Sequence, residues 1–269
     1  QYLWQDQGDL WNTWARTRSI LDFAGHSMFF LPVNGNHEGL YGWTTHLTPY
    51  QTIRDGKMRY LPVPDAGTFP EGGDFDGRYG AFTWGDVLFV WLDVVGFCQD
   101  DPRLNHDNSL YVLGDDQKNF LESTLRNSSA PWKFIFTHHL FGGNDDWVPG
   151  YGRGNANHAL KYEQAEIQAM MELYGVQAFF YGHDHVFSMS RANGIPYICC
   201  GNAGSGCPWK DQAIGSYPPH EIFVTDSEGG IPPGHVRVDV TASETTVSYI
   251  NASSEADNGA ALASFVIQP

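Results

Sequence analysis

Apolar and polar positions along this chain follow one pattern three times: a helix, a short strand and a polar strand end. Apolar residues at helical spacing predict helices over residues 10–24, 114–125 and 160–174. An apolar strand follows each helix, at residues 28–33, 132–136 and 176–181. Acidic residues beside Gly114 suit the start of the second helix, and Gly175 suits the end of the third. The pattern therefore predicts a sheet whose strands are connected by helices.

Other apolar runs predict further strands, at residues 80–84, 87–95, 195–200, 235–240 and 245–250. Buried strands mixed with helices predict an α/β fold, a layered sandwich of mixed β-sheets flanked by helices. We find no linker and no internal repeat, so residues 1–269 are interpreted as a single domain. Two long loops rich in glycine and aromatic residues, 39–76 and 142–157, are expected to be functional.

The three polar strand ends carry residue types that bind metals. Asn36 and His37 follow the first strand, His138 and His139 follow the second, and His183 and His185 follow the third. Ligands in α/β folds bind at the carboxyl ends of strands, so these side chains are predicted to meet at one site. An extended backbone would place His183 and His185 on one side of the chain and Asp184 on the other.

Each of these motifs also has an ordinary structural interpretation. The pair His183 and His185 can be two surface histidines on a turn, and Gly35-Asn36-His37-Glu38 can be a turn before a helix. His139 can face a substrate, support a ligand from behind or simply pack in its loop. An asparagine oxygen and imidazole nitrogens are nevertheless ligands that suit manganese, iron or zinc. A histidine beside such ions could donate a proton to a leaving alkoxide.

Composition narrows the choice of chemistry. The formal net charge of −16 argues against a general nucleic-acid-binding surface, and it repels phosphorylated ligands at long range. A phosphate site in this chain would need local positive charge, which metal ions supply. No run approaches the roughly 18 apolar residues that indicate a membrane span.

Sequons and cysteines favour an extracellular protein. Asn127-Ser128-Ser129 and Asn251-Ala252-Ser253 match the N-glycosylation tripeptide. The four cysteines are either oxidised, with Cys199 or Cys200 joined to Cys207 across a short loop, or buried free thiols. Gln1 is not an initiator residue, so a processed or cut start is expected. With the acidity, these features predict secretion.

Taken together, the motifs resemble the calcineurin-like metallophosphoesterase superfamily, in its purple acid phosphatase-like branch. That superfamily carries D-x-H, G-D, G-N-H-[DE], H and G-H-x-H in chain order. The last three occur here as Gly35-Asn36-His37-Glu38, His138 and Gly182-His183-Asp184-His185. Leu92-Asp93, the helix start at residues 114–117 and the Gly-rich segment 198–204 are similar to further family segments.

The resemblance implies a metal-dependent phosphoester hydrolase that acts on small phosphomonoesters through a metal-activated hydroxide. It implies two divalent or trivalent ions of the zinc, iron or manganese class. Asn36, His138 and His183 would bind one ion, and His185 would bind the other. His37 would contact the phosphate and act as the general acid. Apart from the resemblance, the position of His139 beside His138 predicts that it contacts the substrate.

Two family motifs, D-x-H and G-D, are not found ahead of Asn36. They would supply an Asp, a His and a bridging Asp to the two ions. Gly8-Asp9 is the nearest substitute, but it interrupts a helical pattern, so Asp9 is interpreted as a solvated helix residue. The chain is therefore expected to be the C-terminal portion of the fold without its N-terminal strands. An N-terminal fragment or a second chain would complete it, and without one the ions would be incompletely bound.

Two other functions agree with the same residues. Aromatic residues of the long loops could stack on a base or sugar, as a phosphodiesterase or nucleotide-cleaving relative would need; they are Tyr41, Trp43, Trp147 and Tyr151. The missing ligands suit a degenerate, non-catalytic structural or assembly glycoprotein with the same fold. None of these interpretations includes a nucleic acid as a structural partner or a membrane span.

Overall fold

The structure, a computed structural model, describes residues 31, 33, 35, 69–74, 78–93, 113–139, 163–203, 221–226, 228–253 and 257–269. Its helices are α1 (Gly114–Asn127) and α2 (Gln164–Leu173). Its strands are β1 (Gly80–Trp84), β2 (Val87–Trp91), β3 (Trp132–Phe136), β4 (Ala178–Tyr181), β5 (Phe187–Ala192), β6 (Ile195–Cys200), β7 (Ile222–Phe223), β8 (Gly234–Val240), β9 (Thr245–Asn251) and β10 (Ala261–Ile267). The helix predicted over residues 10–24 lies outside this range, as does the strand over 28–33 apart from Leu31 and Val33.

The strands form two sheets. The larger has the order β1-β2-β3-β4-β6-β5-β7, and the smaller has the order β10-β9-β8. In the larger sheet β2, β3, β4 and β6 are parallel to one another, while β1 pairs antiparallel with β2, β5 with β6, and β7 with β5. The smaller sheet is antiparallel throughout. The predicted mixture of parallel and antiparallel strands is confirmed.

Successive residues of β4 pack into different layers, because side chains of a strand alternate between its two faces. Phe179 and Tyr181 belong to an apolar cluster with the helices, through Leu121, Leu125, Ile167 and Met171. Ala178 and Phe180 belong to a second cluster with the small sheet, through Val247, Tyr249 and Ile267. Each fully buried Leu or Phe contributes about 1.5–3 kcal/mol, so both faces of the large sheet stabilise the fold. The predicted layered α/β sandwich is confirmed.

The start of α1 is held by a side chain from the start of α2. The Glu163 carboxylate accepts hydrogen bonds from the backbone N–H groups of Leu113 and Gly114, the second at 3.1 Å. A negative charge is favourable there because the first N–H groups of a helix have no partner within it. Lys118 of α1 also pairs with Glu163 and with Glu166 at 3.6 and 2.9 Å. The two helices therefore begin at a shared, charge-paired position.

The end of α2 sets where β4 begins. Gly175 has φ 65°, and the N–H of Val176 donates to the Met171 carbonyl at 2.9 Å. The N–H of Gly175 donates to the Glu172 carbonyl at 3.4 Å, which completes a Schellman cap. The predicted end of the helix at Gly175 is confirmed. The strand begins at Ala178 rather than Val176, because Val176 is part of this cap.

Among the helices of the described residues, none is long and apolar enough to cross a membrane.

Candidate metal centre

The parallel register brings the carboxyl ends of four strands to one edge of the large sheet. Trp91 of β2 pairs with Phe136 of β3, Phe136 with Phe180 of β4, and Phe180 with Ile198 of β6. Two residues farther along the chain, Asp93, His138, Gly182 and Cys200 therefore lie at one level. This is the edge at which α/β proteins bind ligands.

His138 and His183 converge at this edge. The Nε2 atom of His138 lies 3.3 Å from the Nδ1 atom of His183, and their ring planes cross at 79°. Two nitrogens bound to one tetrahedral zinc ion at about 2.0–2.1 Å each would lie roughly 3.3–3.4 Å apart. The same distance suits an N–H···N hydrogen bond between the rings, depending on the tautomers. The spacing and the donor atoms therefore fit a shared metal ion.

His139 completes a compact group of three imidazoles. Its ring centroid lies 5.0 Å from that of His138 and 4.4 Å from that of His183. One ligand atom from each of these three residues lies within 4.8 Å of the others. His139 is fully buried, and its ring packs against those of the other two histidines. A substrate contact, the role predicted from the sequence, would require this ring to become accessible.

His185 lies outside that group and is half-buried. The sequence motifs that would supply its partner ligands for a second ion are not found ahead of Asn36. Asn36 and His37, the predicted ligand and proton donor, fall outside the described residues. Of the G-N-H-E motif, only Gly35 is described. Asp9 and the four loop aromatics that could stack on a base or sugar also lie outside; they are Tyr41, Trp43, Trp147 and Tyr151. The part of the site that the structure describes is therefore the part delivered by β3 and β4.

The backbone that carries His183 and His185 is not extended, so the alternation predicted for this segment is wrong. His183 has φ 71° and His185 has φ 57°, which is the left-handed region. The N–H of Asp184 donates to the Gly182 carbonyl at 2.8 Å and closes a tight turn around His183. Left-handed φ costs about 1–3 kcal/mol for residues other than glycine, and such strain is concentrated at functional sites.

Gly182 lies close to His138, and a larger residue at this position would crowd the imidazole. Its N–H donates to the His138 carbonyl at 3.1 Å. A Cβ at this position would lie 3.3 Å from the Nδ1 atom of His138. The two strand ends that deliver the histidines are therefore in direct contact.

Cys199 lies behind this turn. Its Sγ is 3.7 Å from the Gly182 carbonyl, and its side chain is fully buried. Burial, and secondarily the Asp184 carboxylate, raise the pKa of the Cys199 thiol well above its ordinary value. Burial also raises the pKa of Cys200 to about 12. Both are free thiols in the structure. Of the two states that the sequence leaves open, a disulfide with Cys207 or buried free thiols, the structure shows the free thiols.

Asp93, at the end of β2, is held by a side chain that the sequence marks only through a family resemblance. The Oε1 atom of Gln117 accepts from the Asp93 N–H at 3.0 Å, and its Nε2 atom donates to the Asp93 carbonyl. Gln117 also bonds back to the Leu113 carbonyl at 3.2 Å. The similarity of residues 114–117 to the family's helix start is the sequence signal that points to Gln117.

Comparison with known proteins decides the family. A family model described as calcineurin-like phosphoesterase matches residues 6–187, more than half of the chain. The chain belongs to this family. Its predicted membership in the calcineurin-like superfamily is thus confirmed, and the histidines of β3 and β4 lie within the matched range. No curated protein matches the chain in sequence.

Several solved structures are similar to the chain over part of their length. PhoD is 17% identical with a TM-score of 0.58, and the likeness covers 82% of this chain and 47% of PhoD. Purple acid phosphatase PPD1 from yellow lupin (Lupinus luteus) seeds is 17% identical over 88% of this chain and 40% of its own, with a TM-score of 0.48. GAP50, the anchor in the inner membrane complex of Plasmodium, is 14% identical over 71% and 53%, with a TM-score of 0.47. The chain thus spans less than half the length of PhoD.

Proposed function

We propose that this protein is a metal-dependent hydrolase of phosphomonoesters. The observation that carries the proposal is the 3.3 Å approach of His138 Nε2 and His183 Nδ1 at the strand-end edge of the sheet. Asn36, His138 and His183 would hold one ion of the zinc, iron or manganese class, and His185 would contribute to a second. Such ions, when bound, supply the positive charge and the activated nucleophile that phosphoester hydrolysis needs at neutral pH.

The charge of the protein makes such a site necessary for a phosphorylated substrate. A net charge of −16 repels a phosphate group at long range. The group His138, His139 and His183 offers imidazole nitrogens without a carboxylate among them. Neutral imidazoles add no negative charge, so the full positive charge of a bound ion would face the phosphate. This supports binding of an anionic substrate despite the acidity of the whole molecule.

We assign the general acid to His37. It follows Asn36 directly, so an N–H of its imidazole would lie beside the phosphate and could move a proton to the leaving alkoxide. Proton transfer of this kind contributes about 10²–10⁴-fold to a rate. His139, being buried against His183, would restrict the ring orientations of the two ligands beside it.

The experiment is hydrolysis of p-nitrophenyl phosphate by the full chain, with added Zn²⁺, Mn²⁺ or Fe³⁺, beside a measurement of bound metal. We expect His37→Ala to lower kcat by about 10²–10⁴-fold while the metal content stays unchanged. His235→Ala is the matched control, because His235 is exposed on β8 in the small sheet. It should match the wild type in both measurements.

Two outcomes would refute the proposal in different ways. Equal losses of kcat and metal in His37→Ala would remove its assignment as the acid. A wild-type chain that binds metal but hydrolyses no phosphomonoester would exclude the activity and favour the non-catalytic alternative. We also propose that the protein is extracellular, on the basis of its acidity and its two sequons.

A further inference from the structure

The two sequons of the chain lie in very different surroundings. Asn127 is the last residue of α1 and its side chain is exposed. Asn251 is the last residue of β9 and is only 4% exposed. A sugar can be attached only to a side-chain amide that an enzyme can reach, and the bulky product must lie on the surface. The two tripeptides match the same sequence motif, but their asparagines differ in accessibility in the structure.

After Asn127 the chain leaves α1 and enters an accessible segment. Ser128 has an extended backbone, φ −83° and ψ 128°, and its N–H closes the helix on the Thr124 carbonyl at 3.1 Å. Ser129, whose hydroxyl completes the sequon, is exposed. All three residues of the sequon line a cleft of about 480 Å³ whose walls also include Glu71, Thr83, Asp86 and Ser123. These polar walls could accept hydrogen bonds from, or donate them to, sugar hydroxyls.

Both the side chain and the backbone of Asn251 are held by hydrogen bonds. Its side-chain Oδ1 accepts from the Ser253 N–H at 2.9 Å. Its backbone N–H donates to Ala260 and its carbonyl accepts from Gly259, both at 2.8 Å. It also lies opposite Gly234 in the β8–β9 pairing. A glycan on this amide would require the end of β9 and its turn to open, with loss of several hydrogen bonds worth about 0.5–1.5 kcal/mol each.

We propose that Asn127 carries an N-linked glycan and that Asn251 remains unmodified in the folded protein. In the reaction, the Asn127 side-chain nitrogen forms a bond to the anomeric carbon of an oligosaccharide held on a lipid diphosphate. The sugar–diphosphate bond breaks, the lipid diphosphate leaves with the bonding electron pair, and the amide nitrogen loses one proton. No redox step is involved.

The position of Asn127 keeps such a glycan away from the candidate metal centre. Asn127 precedes β3 at the amino ends of the parallel strands, while His138 follows β3 at their carboxyl ends. The five residues of β3 alone span about 17 Å. The glycan would therefore cover the opposite edge of the large sheet, away from the histidine group.

The test is secretion of the full chain from eukaryotic cells behind an added leader, followed by site mapping. The leader makes the result independent of where the natural protein resides. Enzymatic release of N-glycans in H₂¹⁸O converts each modified Asn to ¹⁸O-labelled Asp, which peptide mass spectrometry locates. We expect the label at Asn127 in most molecules and at Asn251 in none. Unlabelled Asn127, or label at Asn251 in the folded fraction, would overturn the proposal.

Two matched variants each remove one sequon without changing its asparagine. Ser129→Ala removes the hydroxyl of the first sequon, and Ser253→Ala removes that of the second. Ser253→Ala retains the backbone N–H that bonds to Asn251, so the turn is preserved. We expect the mass of one glycan to disappear in Ser129→Ala and no change in Ser253→Ala. The reverse pattern would place the glycan on Asn251 and contradict the proposal.

Discussion

At the scale of single residues, His183 combines a costly backbone conformation with a specific contact. Its φ of 71° and the tight turn closed by Asp184 on Gly182 turn the chain at the end of β4. In this turn the Nδ1 atom of His183 faces the Nε2 atom of His138 at 3.3 Å. A strained residue is retained when the surrounding structure or the function requires its geometry. A shared ion between the two rings would meet that requirement.

Cys199 gives a prediction for the dependence of stability on pH. Its pKa is raised in the folded protein, mainly by burial. Above about 8.5, the ordinary pKa of a thiol, the unfolded chain loses this proton while the folded chain keeps it. The free energy of unfolding should therefore fall as pH rises, by at most about 1.4 kcal/mol per pH unit for this group. Urea unfolding between pH 8 and 10 measures the slope.

The variant Cys199→Ala is the comparison for that slope. It lacks the thiol, so its stability should fall less steeply with pH than that of the wild type, whatever its absolute stability. Iodoacetamide at pH 8.5 should also label Cys199 only after unfolding. Identical slopes, or rapid labelling of the folded protein, would show that the thiol ionises as readily folded as unfolded.

At the scale of elements, the strands that apolar runs predict agree with the structure where the whole strand is largely buried. Residues 80–84, 132–136 and 195–200 form strands with the predicted bounds. β2 ends at Trp91, short of the predicted Val95, although Leu92 is still buried. The apolar pattern does not predict β5, because Ser188 and Ser190 interrupt its apolar residues, yet both serines are buried. An Asn-Gly pair with positive φ, Asn193 and Gly194, forms the turn to β6 and was the available signal.

Gln117 shows how a helix fixes the end of a strand. Its amide bonds to both backbone groups of Asp93 and to the Leu113 carbonyl. We expect Gln117→Ala to lower the free energy of unfolding by about 1–3 kcal/mol, because buried backbone groups lose this partner. Chemical denaturation measures the loss. Asn119→Ala, an exposed position of the same helix, should stay within about 0.5 kcal/mol of the wild type. Equal effects of the two variants would contradict the proposed role of Gln117.

At the scale of the whole molecule, the small sheet is joined to the large one through Tyr249. Its ring stacks on Phe187 with centroids 4.5 Å apart. Its hydroxyl donates to the Pro232 carbonyl at 2.7 Å and accepts from the Asn202 N–H at 3.3 Å. Asn202 follows β6, so this contact connects the small sheet to the strand-end edge that carries the histidines. The layers therefore form one continuous structure from the C-terminal strands to the candidate site.

Tyr249→Phe tests this connection, since it removes the hydroxyl and keeps the ring. We expect a loss of about 1–3 kcal/mol, because the Asn202 N–H and the Pro232 carbonyl lose a buried partner. Tyr174→Phe is the same chemical change at a less buried hydroxyl, bonded to Glu122 at 3.1 Å. Its loss, measured by the same unfolding experiment, should be smaller than that of Tyr249→Phe, because water can replace the partner of a more exposed hydroxyl. A larger loss in Tyr174→Phe than in Tyr249→Phe would contradict this account.

The sequence predicts which residues meet at the site better than it predicts how they meet. Strand ends with histidine are visible in the apolar pattern, because parallel strands share one direction and one edge. The left-handed turn at His183 and His185 is not visible, since the apolar pattern carries no information on the backbone angles of a strand end. The burial of His139 likewise depends on the packing of three rings from two strands. Such tertiary contacts leave no periodic signal in the chain.

Zinc binding by the full chain tests the central claim most directly, through equilibrium dialysis with elemental analysis of the wild type, His183→Ala and His235→Ala. If His138 and His183 share an ion, the wild type and His235→Ala should bind at least one zinc ion with the same affinity. Loss of the His183 ligand should weaken that binding by more than about 100-fold. Wild-type stoichiometry and affinity in His183→Ala would contradict the assignment of a metal ion to these two histidines.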